Sequence, residues 1–313
     1  MCSFINSKKS FLKYLFTIMV FGVVSSSSAQ QVINTTLYNQ NRLTYNPAYA
    51  GMSNDIPVTA HVRQQWIGFD DAPRSQFLSS HAFLPHEIGF GGMIFNNISG
   101  PTRQSGLNVA FSKHLQIDER HHISLGISGD LYQNVFDQGK LQTADPNDPA
   151  LTGEIEQKFA PDASTGFFIY ADKYFGGFSV VNIIESRSDV FTTNAQFENP
   201  LPRTMYLTGG YVFDIDENFK YQPTILGKKT AGLSAQLDLT NKIIYQDFLW
   251  GALAYRTNND ISILLGAKYG IMELAYAYDF TTSELKTYNS GNQEIMLRLN
   301  LGNWYAEREF MWW

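Results

Sequence analysis

The sequence predicts an all-β protein: a transmembrane antiparallel β-barrel of about fourteen strands, with short periplasmic turns and long extracellular loops. Three observations carry this. From about residue 57 to residue 301 the chain repeats a unit of roughly ten residues, alternately apolar and polar, followed by a turn. Val58, Ala60 and Val62 are interleaved with Thr59, His61 and Arg63, and Ile261, Ile263, Leu265, Ala267 and Tyr269 with Ser262, Leu264, Gly266 and Lys268. A period of two sends alternate side chains to opposite faces of a strand, so each unit is a sheet element with one apolar and one mostly polar face. Second, no helical stretch separates the units, and only a closed sheet leaves no backbone group unpaired in lipid. Third, the connection lengths sort by parity, as they do in outer-membrane barrels.

The elements follow in order. Residues 1–29 read as a cleaved signal peptide. Lys8, Lys9 and Lys13 precede the apolar run Tyr14 to Val24, and Ser27 and Ala29 supply the small residues of a cleavage site. That run is too short to span a bilayer. Cys2 precedes it, which is the wrong place for a lipoprotein cysteine, and after cleavage no thiol remains for disulfide, redox or zinc chemistry. Residues 30–56 contain turn chemistry at Asn46-Pro47 and Ala50-Gly51 but no strand pattern, so they are a lead-in placed in the lumen or at its periplasmic mouth. The barrel occupies 57–302. Its expected strands are 58–66, 75–84, 88–96, 103–115, 122–133, 163–175, 177–184, 204–213, 219–227, 230–240, 242–255, 261–269, 271–280 and 292–301.

The even-numbered connections (Pro85–Glu87, Asp118–His121, Gly176, Asp214–Asn218, Asn241 and Gly270) are all short, and the long ones, 134–162, 185–203 and 281–291, are all odd-numbered. A first strand entering from the periplasm makes the parity correct, and a soluble sandwich has no reason to sort its loops this way. Trp66, Phe69, Tyr174, Phe175, Tyr206, Tyr211, Trp250, Tyr255 and Tyr269 fall near strand ends, where an interfacial girdle or ordinary core packing would place them. The tail 303–313, NWYAEREFMWW, is apolar and aromatic with a charged centre.

Composition narrows the function. The formal charge is −6, and about −9 without the leader, with no Lys/Arg run, so nucleic acid is not an expected partner. No apolar run of eighteen residues follows the leader, which excludes a helical inner-membrane protein. A mean hydropathy of −0.20 suits a barrel whose inner half is polar.

No catalytic site emerges. Ser79, Ser80 and His81 invite comparison with a serine hydrolase, but Ser80 and His81 point to opposite faces, and Ser79 and His81 sit one pleat apart with no orienting acid nearby. His114, His121 and His122 surround one turn without a carboxylate set to complete a metal site. Asp145, Asn147 and Asp148 in the long loop 134–162 have the chemistry of a structural Ca²⁺ loop without the EF-hand spacing, and turn formation also explains them. No other cofactor is expected. His61, Arg63, Lys113, Asp130, Asp238, Lys268, Glu273, Glu294 and Arg298 give the lumen face charges of both signs, which points to an occluded lumen with cross-lumen pairs rather than an ion-selective pore.

Several segments carry a family resemblance. Asn46-Pro47-Ala48-Tyr49-Ala50-Gly51 closes the lead-in, Arg63-Gln64-Gln65-Trp66-Ile67-Gly68-Phe69 ends the first strand, and Ala72-Pro73 and Gln76 follow. Gly89-Phe90-Gly91-Gly92-Met93 and Ile98-Ser99-Gly100-Pro101-Thr102 come next. In order and spacing these resemble the PorP/SprF family of outer-membrane proteins of Bacteroidetes. The strongest matches are in residues 41–112; the two long loops and the tail carry no motif of the family.

The resemblance implies an accessory component of the type IX secretion system. Such a barrel would bind outer-membrane lipid around its wall, hold a large secreted adhesin by its C-terminal sorting domain, and contact secretion or gliding machinery. Candidate partner-binding residues are Trp66, Phe69 and Asp70 at the outer end of the first strand, with Asp145, Asn147, Asp148 and Phe191 in the long loops. Two other classes compete: a passive channel or transporter for small or hydrophobic solutes, and a lipid hydrolase using Ser79 or His81.

Overall fold

The computed structural model describes residues 35–141, 155–186, 201–257, 260–281 and 290–302. The expected leader, the long-loop centres and the tail 303–313 lie outside these residues.

Fifteen hydrogen-bonded segments form one sheet: β1 Ile56–Gln64, β2 Arg74–Leu84, β3 Ile88–Ser99, β4 Thr102–Gln116, β5 His122–Asp137, β6 Ile155–Tyr170, β7 Tyr174–Val181, β8 Thr204–Tyr211, β9 Phe213–Asp214, β10 Phe219–Thr230, β11 Gln236–Tyr245, β12 Leu249–Arg256, β13 Asp260–Tyr269, β14 Met272–Thr281 and β15 Asn292–Leu301. Because β9 continues β8 past Val212 and pairs with the same neighbour, β10, the wall has fourteen strands. Each pairs antiparallel with its neighbours, and β1 closes on β15 from Ile56↔Leu301 to Gln64↔Gln293, so the sheet has no free edge.

The alternation read from the sequence becomes inside and outside. Along β6, Ala160, Asp162, Ser164, Gly166, Phe168 and Tyr170 are buried, while Phe159 and Phe167 face outward. Ile127, Leu207, Leu253, Leu265, Leu274 and Ile295 are each more than half exposed, and such residues recur on nearly every strand. An apolar band around the whole circumference has lipid as its solvent. The wall is uneven: β5 and β6 have 16 residues each, while β7 and β12 have 8. The extra length lies toward the outer end, where the β5–β6 ladder runs up to Asp137↔Ile155.

Three groups of expectations are corrected. The turn assigned to Gly176 is at 171–173, and Gly176 lies within β7. The tenth turn is not at Asn241, which pairs with Pro223 inside the ladder, but at 246–248, where Gln246 and Asp247 take left-handed conformations (φ 49° and 53°) suited to a tight hairpin. The preceding hairpin therefore turns at 231–235, and β5 and β6 consume both ends of the expected loop 134–162. Among the aromatics, Tyr211, Tyr255 and Tyr269 face outward, while Phe175 and Trp250 are buried in the lumen and Tyr206 packs there beside Tyr45.

Candidate functional site

The lead-in fills the barrel. Leu37, Tyr38, Leu43, Tyr45, Ala48 and Ala50 are each under 5% exposed, although none belongs to a strand. Two single 3-10 turns, Arg42–Thr44 and Pro47–Tyr49, compact the segment. It enters the description in the outer third, where Arg256, the last residue of β12, reaches the Thr35 carbonyl at 3.4 Å, and descends to the periplasmic start of β1. The charged lumen pairs are made between neighbouring regions of the wall rather than across it, and occlusion comes from this plug.

Its outer end is held by charge. Glu294 accepts from the Thr36 amide (2.8 Å) and the Leu37 amide (2.7 Å), from His61 Nε2 (2.6 Å) and from Arg63 (2.5 Å). Arg63 also donates to Asp279 (2.6 Å) and to the Thr36 hydroxyl (2.9 Å), and that hydroxyl donates to Asp279 (2.8 Å). Every member is buried, so each charge depends on the others for the solvation it has lost. Beneath the clamp, Leu37 packs on Trp250, Ala252, Ala254, Leu264, Ala275, Ala277 and Met296. Here the inner wall is apolar, against the expectation of a polar lumen face, because it meets protein instead of water.

The inner end is held by neutral groups. Asn46 caps the second turn, accepting from the Ala48 amide (2.9 Å), and its Nδ2 donates to the Phe167 carbonyl (3.2 Å). Ser179, Ser124 and Ser112 donate to the carbonyls of Tyr45, Ala48 and Ala50 at 2.5, 2.8 and 2.7 Å. His114 Nε2 donates to the Ala50 carbonyl (2.8 Å) and its Nδ1 accepts from Tyr170 (3.0 Å), which fixes the tautomer. A Cβ at Gly89, Gly126 or Gly166 would collide with Ala50, Ala48 or Asn46, respectively. Glycine in these strands serves close backbone approach, and Gly177, beside Phe168 and Asn46, explains why the expected turn at Gly176 is strand. Gly51 adopts φ 71° and lies against Gly89, turning the chain into β1.

The candidate residues divide accordingly. Asn46, Pro47, Ala48, Tyr49, Ala50 and Gly51 are the inner turn of the plug, and Arg63 is in the outer clamp. Gln65, Trp66, Gly68 and Phe69 lie in the outer β1–β2 loop, where Gln65 donates to the Pro73 carbonyl (2.9 Å) and Ile67 to the Gly291 carbonyl (3.0 Å). Trp66 is half-buried, while Phe69 and Asp70 are exposed. Gly100 and Pro101 form the β3–β4 turn, and Gly100 donates to Asp71 (3.1 Å), tying that turn to the same loop. Asp145, Asn147, Asp148 and Phe191, and with them the candidate Ca²⁺ loop, lie outside the described residues.

The other chemistry-bearing residues are absorbed by the plug or by turns. Ser79 accepts from Asn41 (2.9 Å) and His81 packs edge-on to Tyr49. His122 stacks on Tyr170, and His121 faces away on its turn, bonded to Asp118 (2.8 Å). His61, Arg63, Asp130, Asp238 and Glu294 are all buried on the inner face, and Glu273 pairs with Arg298 at 3.0 Å. Asp130 accepts from Ser164 (2.7 Å) and is bonded by Asn108; Asp238 pairs with Arg256 (3.0 Å). Lys268 lies half-buried on the inner face. Lys113 corrects its assignment to the lumen: it points outward and pairs with Glu87 at the periplasmic turn.

Fold and lumen together define a plugged outer-membrane β-barrel. Within that class, the family model for the type IX secretion system membrane protein PorP/SprF matches residues 27–299, and the chain belongs to that family. No curated protein matches it by sequence. Among solved structures, the Pseudomonas putida toluene transporter TodX is 10% identical over 82% of this chain and 93% of its own, with a TM-score of 0.47. A Pseudomonas aeruginosa FadL homologue gives 10% identity over 82% and 92% with a TM-score of 0.42. CdiB from Acinetobacter baumannii gives 8% over 79% and 60% with a TM-score of 0.41.

Proposed function

We propose that this chain is a sealed, non-catalytic barrel that anchors cargo for type IX secretion. Its outer mouth holds the C-terminal domain of a large secreted adhesin, and its periplasmic face meets secretion or gliding machinery. The observation that supports this reading is the filled lumen: a passive channel needs an open path, and here the lead-in is bonded to the wall from β1 around to β15. The hydrolase reading loses its support as well, since Ser79 is engaged by Asn41 and His81 packs against Tyr49. At the mouth, Phe69 and Asp70 are exposed on a loop braced at Pro73 and Gly291, a rigid platform of the kind a protein partner needs.

The test is gentle affinity purification of the tagged protein from its native outer membrane, with mass spectrometry of what accompanies it. A very large repeat adhesin together with type IX components is expected. A partner-free barrel that conducts steadily in planar bilayers overturns the proposal and restores the channel.

A further inference from the structure

We propose that the periplasmic half of the lumen is a binding site for a small inorganic anion, caged between the plug and strands β10–β12. Buried Arg42 and half-buried Lys242 lie close enough there to act on one another, and neither forms an ion pair among the described residues. Arg63, Arg256 and Arg298 each lie within 3.0 Å of a carboxylate oxygen. Arg42, on the first turn of the plug and 2% exposed, has no ion pair among the described residues. Its guanidinium rests 3.9 Å from the centroid of the Phe175 ring, and its Nε donates to nothing. Lys242 on β11 likewise forms no ion pair among the described residues; its Nζ stands 4.9 Å from the centroid of the Trp250 ring. The charges of Glu273, Arg42, Arg298 and Asp247 all act on Lys242, but Glu273 is already bonded to Arg298 and Asp247 to Lys220.

The surrounding polar groups have the same bias. Gln222 faces Lys242 directly across the β10–β11 ladder, is 2% exposed, and has an Nε2 without an acceptor. Trp250, 8% exposed beneath Lys242, has an indole N–H without one. Three orphaned N–H groups, on Arg42, Gln222 and Trp250, are thus gathered with two positive charges, and the Tyr45 hydroxyl beside Arg42 supplies an acceptor but no counter-charge. Buried donors are almost always bonded, and buried charge is paired. The aromatic rings offset part of the cost for Arg42 and Lys242 but bring no counter-charge. Water would satisfy the donors and leave the charge, whereas one small anion does both. A small inorganic anion such as chloride or phosphate has the matching sign. The anion then links Arg42 of the plug to Lys242, Gln222 and Trp250 of the wall.

The test uses full-length purified protein. Crystals grown in bromide should show an anomalous peak in contact with Lys242 Nζ and Gln222 Nε2; if the site instead selects an oxyanion, crystals grown in inorganic phosphate should show a tetrahedral peak there. At matched ionic strength, wild-type protein should melt several degrees higher in the bound anion than in gluconate, and Lys242→Met should lose that difference. Water alone in the cage under both conditions overturns the proposal. So does a peak with no effect on melting, an adventitious ion only.

Discussion

The two ends of the plug are held by opposite means. At the outer end Glu294 grips the Thr36 and Leu37 amides, Asp279 and Arg63 hold the Thr36 hydroxyl, and His61 backs Glu294, with charge-assisted bonds all under about 3 Å. At the inner end Asn46 to Gly51 is seated in a surface made of glycines and serines, held by neutral bonds and shape. A charge network is sensitive to the loss of one partner, because the remainder is stranded in a low-dielectric interior. A steric seat is sensitive to added bulk and tolerates the loss of one bond.

This contrast is open to direct tests. Glu294→Ala removes one of the two carboxylates that neutralise Arg63, takes the partner from His61 and leaves two plug amides unmet, and is expected to cost about 3–5 kcal/mol. The same loss should free the top of the plug, so the variant should conduct in planar bilayers while the wild type, if sealed, should be silent. Gly166→Val, which drives a side chain into Asn46, should cost about 1–3 kcal/mol or more, read as a lower unfolding temperature and lost heat-modifiability on gels. Asn46→Ala, which removes a cap but adds no bulk, should cost about 0.5–2 kcal/mol and leave the barrel closed. A silent Glu294→Ala with a conducting Asn46→Ala would reverse the assignment of the two ends. Phe69→Ala should leave melting unchanged and weaken adhesin recovery if the outer loop is the cargo platform.

The smallest effect is expected beyond both ends, at the periplasmic turn 117–121. The Arg120 amide, then the His121 ring and amide, hold the Asp118 carboxyl down to about 2. Because that value lies below the ordinary one, the turn keeps its bonds above about pH 4 and loses them as pH falls toward 2. Asp118→Asn should remove this acid-range change without moving the neutral-pH melt measurably, since the group is fully exposed.

Strand count, inward and outward faces and the sorting of loops were legible because each follows from a period of two and from turn residues. The errors came where one residue type serves two purposes. Gly176 read as a turn, but it lies within β7, where its neighbour Gly177 leaves room for Phe168 and for Asn46, the latter 131 residues away. Asn241 read as a turn former, whereas the left-handed residues were Gln246 and Asp247. Lys113 and His114 were both near a predicted end, and a one-residue difference in face put Lys113 in solvent and His114 against the plug.

By itself, then, the sequence determined a closed membrane barrel, its direction of insertion and its family, because lipid imposes periodicity on every strand and family motifs are local strings. Tertiary structure alone decided what those motifs do. Nothing in the lead-in's local pattern shows that it occupies the lumen. Its burial depends on glycines, serines and charges spread from residue 63 to residue 294, which the barrel brings together only when β1 meets β15.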